Sequence, residues 1–483
     1  MSTLREDSIR RIEELKALGV NPYGYKYNKE LTIGDLRTKE VSEAEFQTAG
    51  RIKGYRLMGK NLFLHLEDQT GIIQCYIKEN EVGESQYEIA KMLRTGDFLG
   101  VKGNLFLTKT EELTLRVKSF ELCGVNIQPL PDKHAGLTDE ETKIRQRYLD
   151  FAMSAESRDK ILQVGKLLQY FRQYFYDLNY LEVETPMLHG IASGAAAKPF
   201  VTHLNALDQD MYLRISPELY LKRLLVGGFD KVFELNRNFR NEGISQKHNP
   251  EFTMCEFYQA YANLETMMDE TEGLFKYLAK TLYGRYTFTI KGHVVDLEQP
   301  FQRITMADCI AKYTNRPEIK DYIHAHDFEN VKRITLELGT HVGKNETLSD
   351  LMIKLFDEFC EEQLVQPTFL IEYPVDISPL TKDSPTRPGF VDRFELFVGG
   401  FEFANAYSEL NDPIEQDRRF ATQAERKEAG LEEQYEVDED FVNALEIGMP
   451  CAGGCGIGFS RLTMLFTESD SIRSVLPFPF IKQ

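Results

Sequence analysis

Alternating polar and apolar side chains over residues 233–242 constrain the fold of this chain more than any other feature of its sequence. This alternation is typical of a half-buried strand, because successive residues of a strand point to opposite faces. A polar loop follows, and a second extended run continues to residue 258. The sequence therefore predicts an antiparallel hairpin. One face of this hairpin would carry Arg240, Glu242, Phe252, Glu256 and Tyr258, with His248 and Asn249 at its end.

The residues alone leave two interpretations of this polar face open. It can be the solvated face of an ordinary hairpin, or it can be a binding surface. A guanidinium group, carboxylates and an aromatic ring on one rigid sheet suit a nucleotide whose α-phosphate is attacked, since arginine can bind phosphate oxygens in a bidentate fork.

The size and charge of the chain limit its architecture and its partners. A chain of 483 residues is too long for one hydrophobic core, so we expect two or more domains. The net charge of −19 argues against non-specific nucleic-acid binding, although a local basic face can still bind RNA.

The same composition predicts a cytoplasmic protein without membrane contact. No apolar run approaches the roughly 20 residues of a membrane span, and residues 1–11 lack the apolar core of a signal peptide. The seven cysteines are scattered, and we expect them to be reduced. Cys451 and Cys455 have no second pair or nearby histidine that would complete a zinc site.

Residues 49–122 have the pattern of short strands separated by turns. The pattern predicts five strands, with one helix over residues 85–93 after the third strand. This order is typical of an OB-fold barrel, which often presents aromatic and basic side chains to single-stranded nucleic acid. A small barrel without that function is the alternative.

The Gly-Gly pair at 399–400 predicts a second hairpin, within residues 393–412. Pairing across this turn places Phe397 opposite Glu402 and makes Glu395 a neighbour of Glu402 on the same face. Two carboxylates held in this way can bind Mg²⁺, which usually takes one or two carboxylates together with substrate phosphates. The alternative is that both acids lie on a solvent-exposed strand face, an arrangement that the flanking Phe and Leu residues disfavour.

Three blocks of the chain, in this order, resemble the class II aminoacyl-tRNA synthetases, and specifically the lysyl-tRNA synthetases. The amphipathic segment and strand over 159–188 resemble motif 1, and the hairpin at 233–258 resembles motif 2. The glycine-rich stretch at 453–467, with Arg461 where a strand runs into a helix, resembles motif 3. The barrel and the strings H-N-P-E-F-T and Y-S-E-L-N-D extend the resemblance over essentially the whole chain.

The resemblance implies an α+β protein: an N-terminal OB-fold β-barrel followed by a class II synthetase catalytic domain, an antiparallel sheet flanked by helices. The implied domains are a helix and anticodon-binding barrel over 1–128, a linker over 129–140 and a catalytic domain over 141–483, with a helical insertion near 304–364. The implied substrates are ATP, L-lysine and tRNA(Lys), with Mg²⁺ as cofactor. Motif 1 implies a homodimer.

The resemblance also implies a role for each site residue. Arg240 and Arg461 would be catalytic. The ATP-binding residues would be Arg240, Glu242, His248, Asn249, Phe252, Glu402 and Arg461, and the metal ligands would be Glu395 and Glu402. The lysine-binding residues would be Gly194, Glu218, Glu256, Tyr258, Asn405 and Glu409. The anticodon-binding residues would be Arg56, Phe63, Gln74 and Glu112.

One of these roles conflicts with regular strand geometry. A regular strand would point Asn405 away from the face that carries Glu402, because successive side chains alternate. We therefore expect a bulge near Ala404, which would bring both residues to one face.

Motif 3 departs from the usual pattern of the family. The family usually has Pro-Pro-Thr where Pro450, Cys451 and Ala452 stand, and it has Asp where Ser460 stands. Cys455 is a further departure. The sequence therefore leaves open how Arg461 is oriented.

Three alternative functions differ in what they require. An aspartyl or asparaginyl enzyme shares the architecture but needs cations where this chain has glutamates. A relative that lysylates a translation factor typically lacks the barrel. An inactive relative kept as an RNA-binding module would not need the polar set Arg240, Arg461, Glu395 and Glu402, which is complete here.

Overall fold

The computed structural model describes residues 2–131, 137, 139–192, 194–195, 197–246, 248–428 and 437–481. The chain forms two compact units, Met1–Arg158 and Asp159–Gln483. The predicted linker at 129–140 falls within the first unit, and its positions 132–136 and 138 lie outside the described residues. Its role as a linker therefore stays a prediction.

The first unit is built around a closed barrel. It begins with the helices α1 (Ser2–Ala17) and α2 (Ile33–Arg37) and continues with β1 (Glu45–Met58), β2 (Asn61–Asp68), β3 (Gly71–Lys78), α3 (Glu79–Val82), α4 (Glu84–Met92), β4 (Phe98–Leu107), β5 (Leu113–Gly124), α5 (Glu140–Arg145) and α6 (Arg147–Met153). The barrel strands follow the order β1-β2-β3-β5-β4, with helices after the third strand. The predicted OB-fold is confirmed.

Because side chains alternate along each strand, apolar residues fill the interior of this barrel, and polar and aromatic residues lie on its outer face. Leu62, Leu64 and Leu66 of β2 point into the barrel core, as do Ile73 and Cys75 of β3. The residues between them point outward because side chains alternate along a strand.

The second unit is organised around a large mixed sheet. Helix α7 (Ala155–Asp177) begins just before the boundary. The elements after it are β6 (Leu181–Glu182), β7 (Leu188–His189), β8 (Phe200–Leu204), β9 (Gln209–Leu213), α8 (Glu218–Val226), β10 (Lys231–Phe239), β11 (Glu251–Ala260), α9 (Leu264–Leu278), β12 (Thr287–Ile290), β13 (His293–Asp296), β14 (Gln302–Thr305), α10 (Met306–Tyr313), α11 (Ile319–His324), α12 (Phe328–Glu337), α13 (Leu348–Phe359), β15 (Thr368–Pro374), β16 (Phe390–Val398), β17 (Phe401–Ser408), α14 (Pro413–Glu428), α15 (Glu439–Ile447), β18 (Ala452–Ile457), α16 (Phe459–Phe466) and α17 (Ile472–Val475).

The strands of the large sheet follow the order β14-β15-β16-β17-β18-β11-β10-β6. Its inner pairs, from β15 to β10, are antiparallel as predicted, but the edge pairs β14–β15 and β10–β6 are parallel. The prediction of an antiparallel sheet is therefore right for the centre and wrong for both edges. The edge strands are short and their sequence carries no alternation signal.

Helices α7, α9 and α16 bury aromatic side chains with the central strands in one core. Phe171 and Phe175 of α7, Phe257 of β11, Phe275 of α9 and Phe403 of β17 belong to this core. The stretch predicted as a helical insertion forms α10–α13, whose apolar residues share a second core with β15 and β16. In the described part of the chain, no helix is long and apolar enough to cross a membrane.

Candidate active site

The predicted hairpin forms at the centre of the sheet. In the antiparallel pair β10–β11, Glu234 lies opposite Glu256 and Asn238 lies opposite Phe252. The first strand ends at Phe239, so Arg240 and Glu242 lie in the loop and not on the strand as predicted. The Arg240 amide still donates to the Pro250 carbonyl at 2.8 Å, but Pro250 has no N–H to donate in return, so the ladder ends there.

A cavity of about 300 Å³ lies against this hairpin. Most of the predicted site residues line it: Gly194, Glu218, Arg240, Glu242, His248, Asn249, Phe252, Glu256, Tyr258, Glu402, Asn405 and Arg461. Glu395 and Glu409 are not among its lining residues. Residues separated by more than 250 positions in sequence thus converge on one cavity.

One end of the cavity is cationic. The Arg240 guanidinium lies over the ring of Phe252, with 5.2 Å to the ring centroid. Arg461, at the start of α16, donates from one Nη to the Glu402 carbonyl at 2.7 Å and to the Glu402 carboxylate at 3.1 Å. Two guanidinium groups beside an aromatic face suit a nucleotide with several phosphates.

The Ser460 departure does not leave Arg461 without support. The Ser460 hydroxyl accepts a hydrogen bond from the Thr253 amide at 3.2 Å, which ties α16 to β11. Glu402 orients the Arg461 guanidinium instead, through both of its contacts. Arg461 therefore has an acidic partner in this structure although position 460 carries no carboxylate.

His248 and Asn249 are held by the loop that carries them. The Nδ1 of His248 is 2.9 Å from the Ser245 hydroxyl. The Asn249 amide nitrogen donates to the Glu251 carbonyl at 2.7 Å. These contacts fix the rim of the cavity beside Phe252.

A bulge in β17 resolves the conflict over Asn405. Phe397 lies opposite Glu402, but Leu396 lies opposite Ala404, which leaves Phe403 as the extra residue. Beyond the bulge, Asn405 lies opposite Glu395. The expected bulge is therefore present, and it brings Asn405 to the cavity together with Glu402.

Arg393 connects this group of residues and was missed at the sequence level. Its guanidinium donates to the Asn405 side-chain carbonyl at 3.0 Å, to the Ser378 hydroxyl at 2.9 Å and to the Glu395 carboxylate at 2.6 Å. The sequence does contain a signal for this contact. Arg393 lies two residues before Glu395, so both side chains point to the same face of a strand.

The two predicted metal ligands have the electrostatics of a cation site. Burial raises the pKa of Glu395 to about 7; the nearby charge of Glu402 adds to the rise and Arg393 opposes it. Two carboxylates that repel each other bind a cation favourably. Among the described residues no cluster of three or more acidic, histidine or cysteine side chains forms a complete metal cage. The pair therefore fits Mg²⁺ only in the arrangement where phosphates supply further ligands.

The other end of the cavity is acidic. Glu256 is buried and accepts hydrogen bonds from the Ser216 hydroxyl at 2.8 Å and from the Tyr258 hydroxyl at 3.0 Å. Burial, reinforced by the charge of Glu218, raises the pKa of Glu256 to about 8. A carboxyl group with this pKa becomes fully charged when a cation is bound beside it.

Glu218 and Glu409 share an internal partner, Lys222, that the sequence-based prediction also missed. The Lys222 ammonium donates to Glu218 at 2.7 Å and forms an ion pair with Glu409. Glu218 also accepts from the Tyr407 hydroxyl at 2.5 Å. The available signal was spacing, since residues four apart on a helix lie on the same face and Lys222 is four residues after Glu218.

Gly454 makes room for this acidic end. It lies in β18 opposite Tyr258 on one side and Tyr407 on the other. A Cβ atom there would overlap Glu409 Oε1 and the ring of Tyr258. The glycine-rich sequence of motif 3 therefore serves the packing of the acidic residues as well as the approach to a ligand.

Gly194 has a conformational requirement of its own. Its φ of +90° lies in a region that side chains other than glycine rarely adopt. An added Cβ would also lie 3.4 Å from the Ser216 hydroxyl and 3.6 Å from the Glu218 Cβ. The residue lets the backbone form this wall of the cavity.

The barrel carries an aromatic and basic row on its outer face. Phe63 and Tyr76 lie 4.9 Å apart by ring centroids, and Tyr76 is 6.0 Å from Phe106. The Arg116 guanidinium lies over Phe106 at 4.8 Å. Only Phe63 of this row was predicted, because the others are neighbours through strand pairing and not through sequence.

The other predicted barrel residues lie around this row. Arg56 pairs in register with Phe63. The Gln74 amide donates to the Thr114 hydroxyl at 2.9 Å, and Glu112 lies 3.7 Å from a ring nitrogen of His65. The row and its polar neighbours form a surface suited to stacking and hydrogen bonding with unpaired bases.

Comparison with known proteins agrees with this geometry. Residues 139–482 match the family model of class II tRNA synthetases (D, K and N), and residues 46–122 match that of OB-fold nucleic acid binding domains. The chain is 47% identical over 477 residues to a lysine–tRNA ligase of Fusobacterium nucleatum, covering 98% of this chain and 96% of that protein. It is 44% identical to one of Carboxydothermus hydrogenoformans, with 98% and 97% covered, and 49% identical to one of an Azoarcus species, with 91% and 87% covered. The chain therefore belongs to the lysine–tRNA ligase family of class II tRNA synthetases.

Proposed function

We propose that this chain uses ATP to activate lysine as lysyl-adenylate and then transfers the lysyl group to tRNA(Lys). The observation that carries the proposal is the acidic end of the cavity, where Glu218 and Glu256 line the wall and Glu409 lies directly behind it. A side-chain ammonium needs such partners because an unpaired buried charge is very costly. A pocket for aspartate or asparagine would need hydrogen-bond donors there instead of these carboxylates.

The cationic end supports binding of ATP next to the lysine carboxylate. In this proposal Arg240 holds the α-phosphate in a bidentate fork, and Arg461 contacts the adenine and the γ-phosphate. Phe252 stacks on the adenine, with Glu242, His248 and Asn249 around the base. Protein groups form no covalent bond in this scheme, so positioning and charge stabilisation supply the rate.

Mg²⁺ is proposed as the metal cofactor, held by Glu395 and Glu402. It would neutralise charge that develops on the phosphates. Arg393 keeps Glu395 and Asn405 in fixed positions relative to each other through its hydrogen bonds. The metal-binding and amino-acid-binding residues of β16 and β17 are thereby oriented as one group.

Lysine itself is proposed to bind with its two ammonium groups toward the acidic end. Glu218, Glu256 and Glu409 would divide the two ammonium groups between them, with Tyr258 and Asn405 as hydrogen-bonding partners. Gly194 would leave space beside the α-amino group. The proposal therefore predicts high selectivity for an amino acid with two positive charges.

The barrel is proposed to bind the anticodon of tRNA(Lys). Phe63 would stack on a base, and Arg56, Gln74 and Glu112 would contact base edges. Tyr76, whose ring lies next to that of Phe63, extends the stacking surface. Single-stranded bases are recognised in this way because every base has an aromatic face.

The chain is proposed to act as a homodimer in the cytoplasm. Apolar side chains are exposed along and after the motif 1 strand, including Leu181 at 47%, Met187 at 48% and Leu188 at 42%. A second copy of this chain would bury them, as expected for a symmetric interface.

The first test is ATP–pyrophosphate exchange with each amino acid in turn. We expect exchange with lysine and little with the others, because a pocket that pairs with a charged group rejects ligands without it. Arg461→Ala should abolish most of the exchange, because it removes phosphate charge stabilisation. Absence of lysine-dependent exchange by the wild-type protein would refute the proposal.

The second prediction concerns pH. The Glu256 carboxylate must be charged to pair with an ammonium group, and its pKa is raised to about 8 in the free protein. Lysine binding should therefore weaken below this pKa, by roughly tenfold per pH unit at most, whereas ATP binding should change little. Calorimetric titration with lysine between pH 6 and pH 9 measures this, and the titration should show proton release.

Two variants control for the pH effect. Glu256→Gln should lose the pH dependence and weaken lysine binding on the order of 3–5 kcal/mol. Glu251→Gln changes an exposed acid on the same strand and should behave as wild type. An unchanged lysine affinity in Glu256→Gln would contradict the assignment.

The third prediction separates the two units. Phe63→Ala should lower aminoacylation of tRNA by roughly 10- to 100-fold, because stacking contributes ~1–3 kcal/mol per base, and should leave lysine-dependent exchange nearly unchanged. Phe98→Ala is the matched control, since Phe98 is an exposed aromatic residue of the same barrel whose neighbour is Arg51. Equal losses in both reactions of Phe63→Ala would argue against separate tasks for the two units.

A further inference from the structure

Lys222 is a fully buried cation directly behind the acidic end of the cavity. Its side chain is 0% exposed, and its ammonium lies 2.7 Å from Glu218 and forms an ion pair with Glu409. The ammonium also lies 5.4 Å from the ring centroid of Tyr407. Glu218 and Tyr407 line the cavity, but Lys222 does not. The lysine therefore contacts the back of the residues that are proposed to contact the substrate.

Lys222 and Glu409 each oppose the effect of burial on the charge of the other. Burial alone would lower the pKa of Lys222, but Glu218 and Glu409 raise it above its usual value. Burial raises the pKa of Glu409 well above its usual value, and the Lys222 ammonium opposes this rise without cancelling it. Each group thus depends on the other for its charge, since a buried charge is stable only with a partner.

The charge of this end of the cavity follows from these residues. Glu218, Glu256 and Glu409 carry three negative charges when ionised, and Lys222 cancels one of them. Two negative charges remain. The substrate of the proposed reaction carries two ammonium groups, so the charges match.

We infer that Lys222 is a positioning residue that sets the specificity for lysine: its ammonium fixes the Glu218 and Glu409 carboxyl groups and cancels one of the charges that these two residues and Glu256 carry when ionised, so that two uncompensated negative charges face the two ammonium groups of the bound substrate. This inference rests on the proposed function and deepens it. Lys222 acts through the two glutamates and does not itself touch the substrate.

Removing the ammonium changes the protonation of the acidic end. In the part of the chain that the structure describes, the titratable groups that contact Lys222 are Glu218 on its own helix, Glu409 after β17 and Tyr407 on β17, and α15 contributes the ring of Phe441. Without the cation, the pKa of Glu409 rises further, because burial and the charge of Glu218 then act unopposed. Lysine must then displace the Glu409 proton to bind.

The test is calorimetric titration of lysine into the full-length variants Lys222→Met and Lys222→Arg. At pH 7 we expect Lys222→Met to bind lysine about 100-fold more weakly than wild type and to release about one proton more per lysine bound. The deficit should shrink at pH 9, where the extra protons are already lost. Lys222→Arg keeps the charge and should stay within about tenfold of wild type, with the wild-type proton count.

Arg223→Met is the matched control on the same helix. Arg223 pairs with Asp438 at 2.9 Å and with Asp440 at 3.0 Å, on the side of α15, and within the described residues it forms no ion pair with Glu218 or Glu409. The Arg223→Met variant loses the same charge as Lys222→Met but no contact with the two glutamates. It should therefore leave lysine affinity and proton release unchanged. ATP affinity, measured in every variant, reports whether the site is still folded. If Lys222→Met does not accumulate as folded protein, Lys222→Gln takes its place.

Two results would overturn the inference. One is wild-type lysine affinity and proton release in Lys222→Met. The other is an equal loss of affinity at pH 7 and pH 9 with an unchanged proton count, which would make Lys222 a packing residue only. If the wild-type protein does not activate lysine at all, the proposed function fails first, so the two failures are distinguishable.

Discussion

The crowding of buried carboxylates is the constraint on which the second unit depends. Glu218, Glu256 and Glu409 come from a helix and two different strand regions, yet all three meet at one end of a cavity. Buried like charges repel each other and are stable only with donors and cations in place. The Ser216 and Tyr258 hydroxyls supply donors to Glu256, and Lys222 supplies the cation. The registers of β11, β18 and β17 are therefore tied to the electrostatics of the site.

At both ends of the cavity, charged side chains are stabilised by ion pairs. At the acidic end a buried lysine stabilises glutamates, and at the other end Arg393 and Arg461 stabilise Glu395 and Glu402. Glu218, Arg393, Glu402 and Arg461, which all line the cavity, are thus each held by a partner of opposite charge. Rigid charges need not reorganise when the substrate arrives, which is an advantage for electrostatic stabilisation.

Those parts of the fold that depend on local periodicity or composition could be predicted from the sequence. The hairpin of β10 and β11, the barrel strands and the turn at Gly399 all formed as expected. The bulge was inferred from a conflict between strand alternation and the resemblance, and it lies one residue from the expected place, at Phe403.

The features that the sequence did not predict depend on tertiary contacts. Arg393 and Lys222 resemble ordinary surface cations in a sequence, and only the folded chain shows that they are enclosed. The aromatic row of the barrel joins Phe63, Tyr76 and Phe106 across three strands, which no sequence period records. The parallel edge pairs likewise depend on distant segments.

The bulge at Phe403 divides β17 into two segments of opposite phase. Before it, the alternation turns Glu402 toward the cavity; after it, the alternation is reversed, so that Asn405 and Tyr407 also face the cavity. One strand therefore presents all three side chains to the cavity only because a single residue is unpaired. If the strand became regular without a deletion, Asn405 and Tyr407 would turn toward the core, because Asn405 follows Glu402 by three positions. The unpaired residue is thus as much a part of the site as the identity of its side chains.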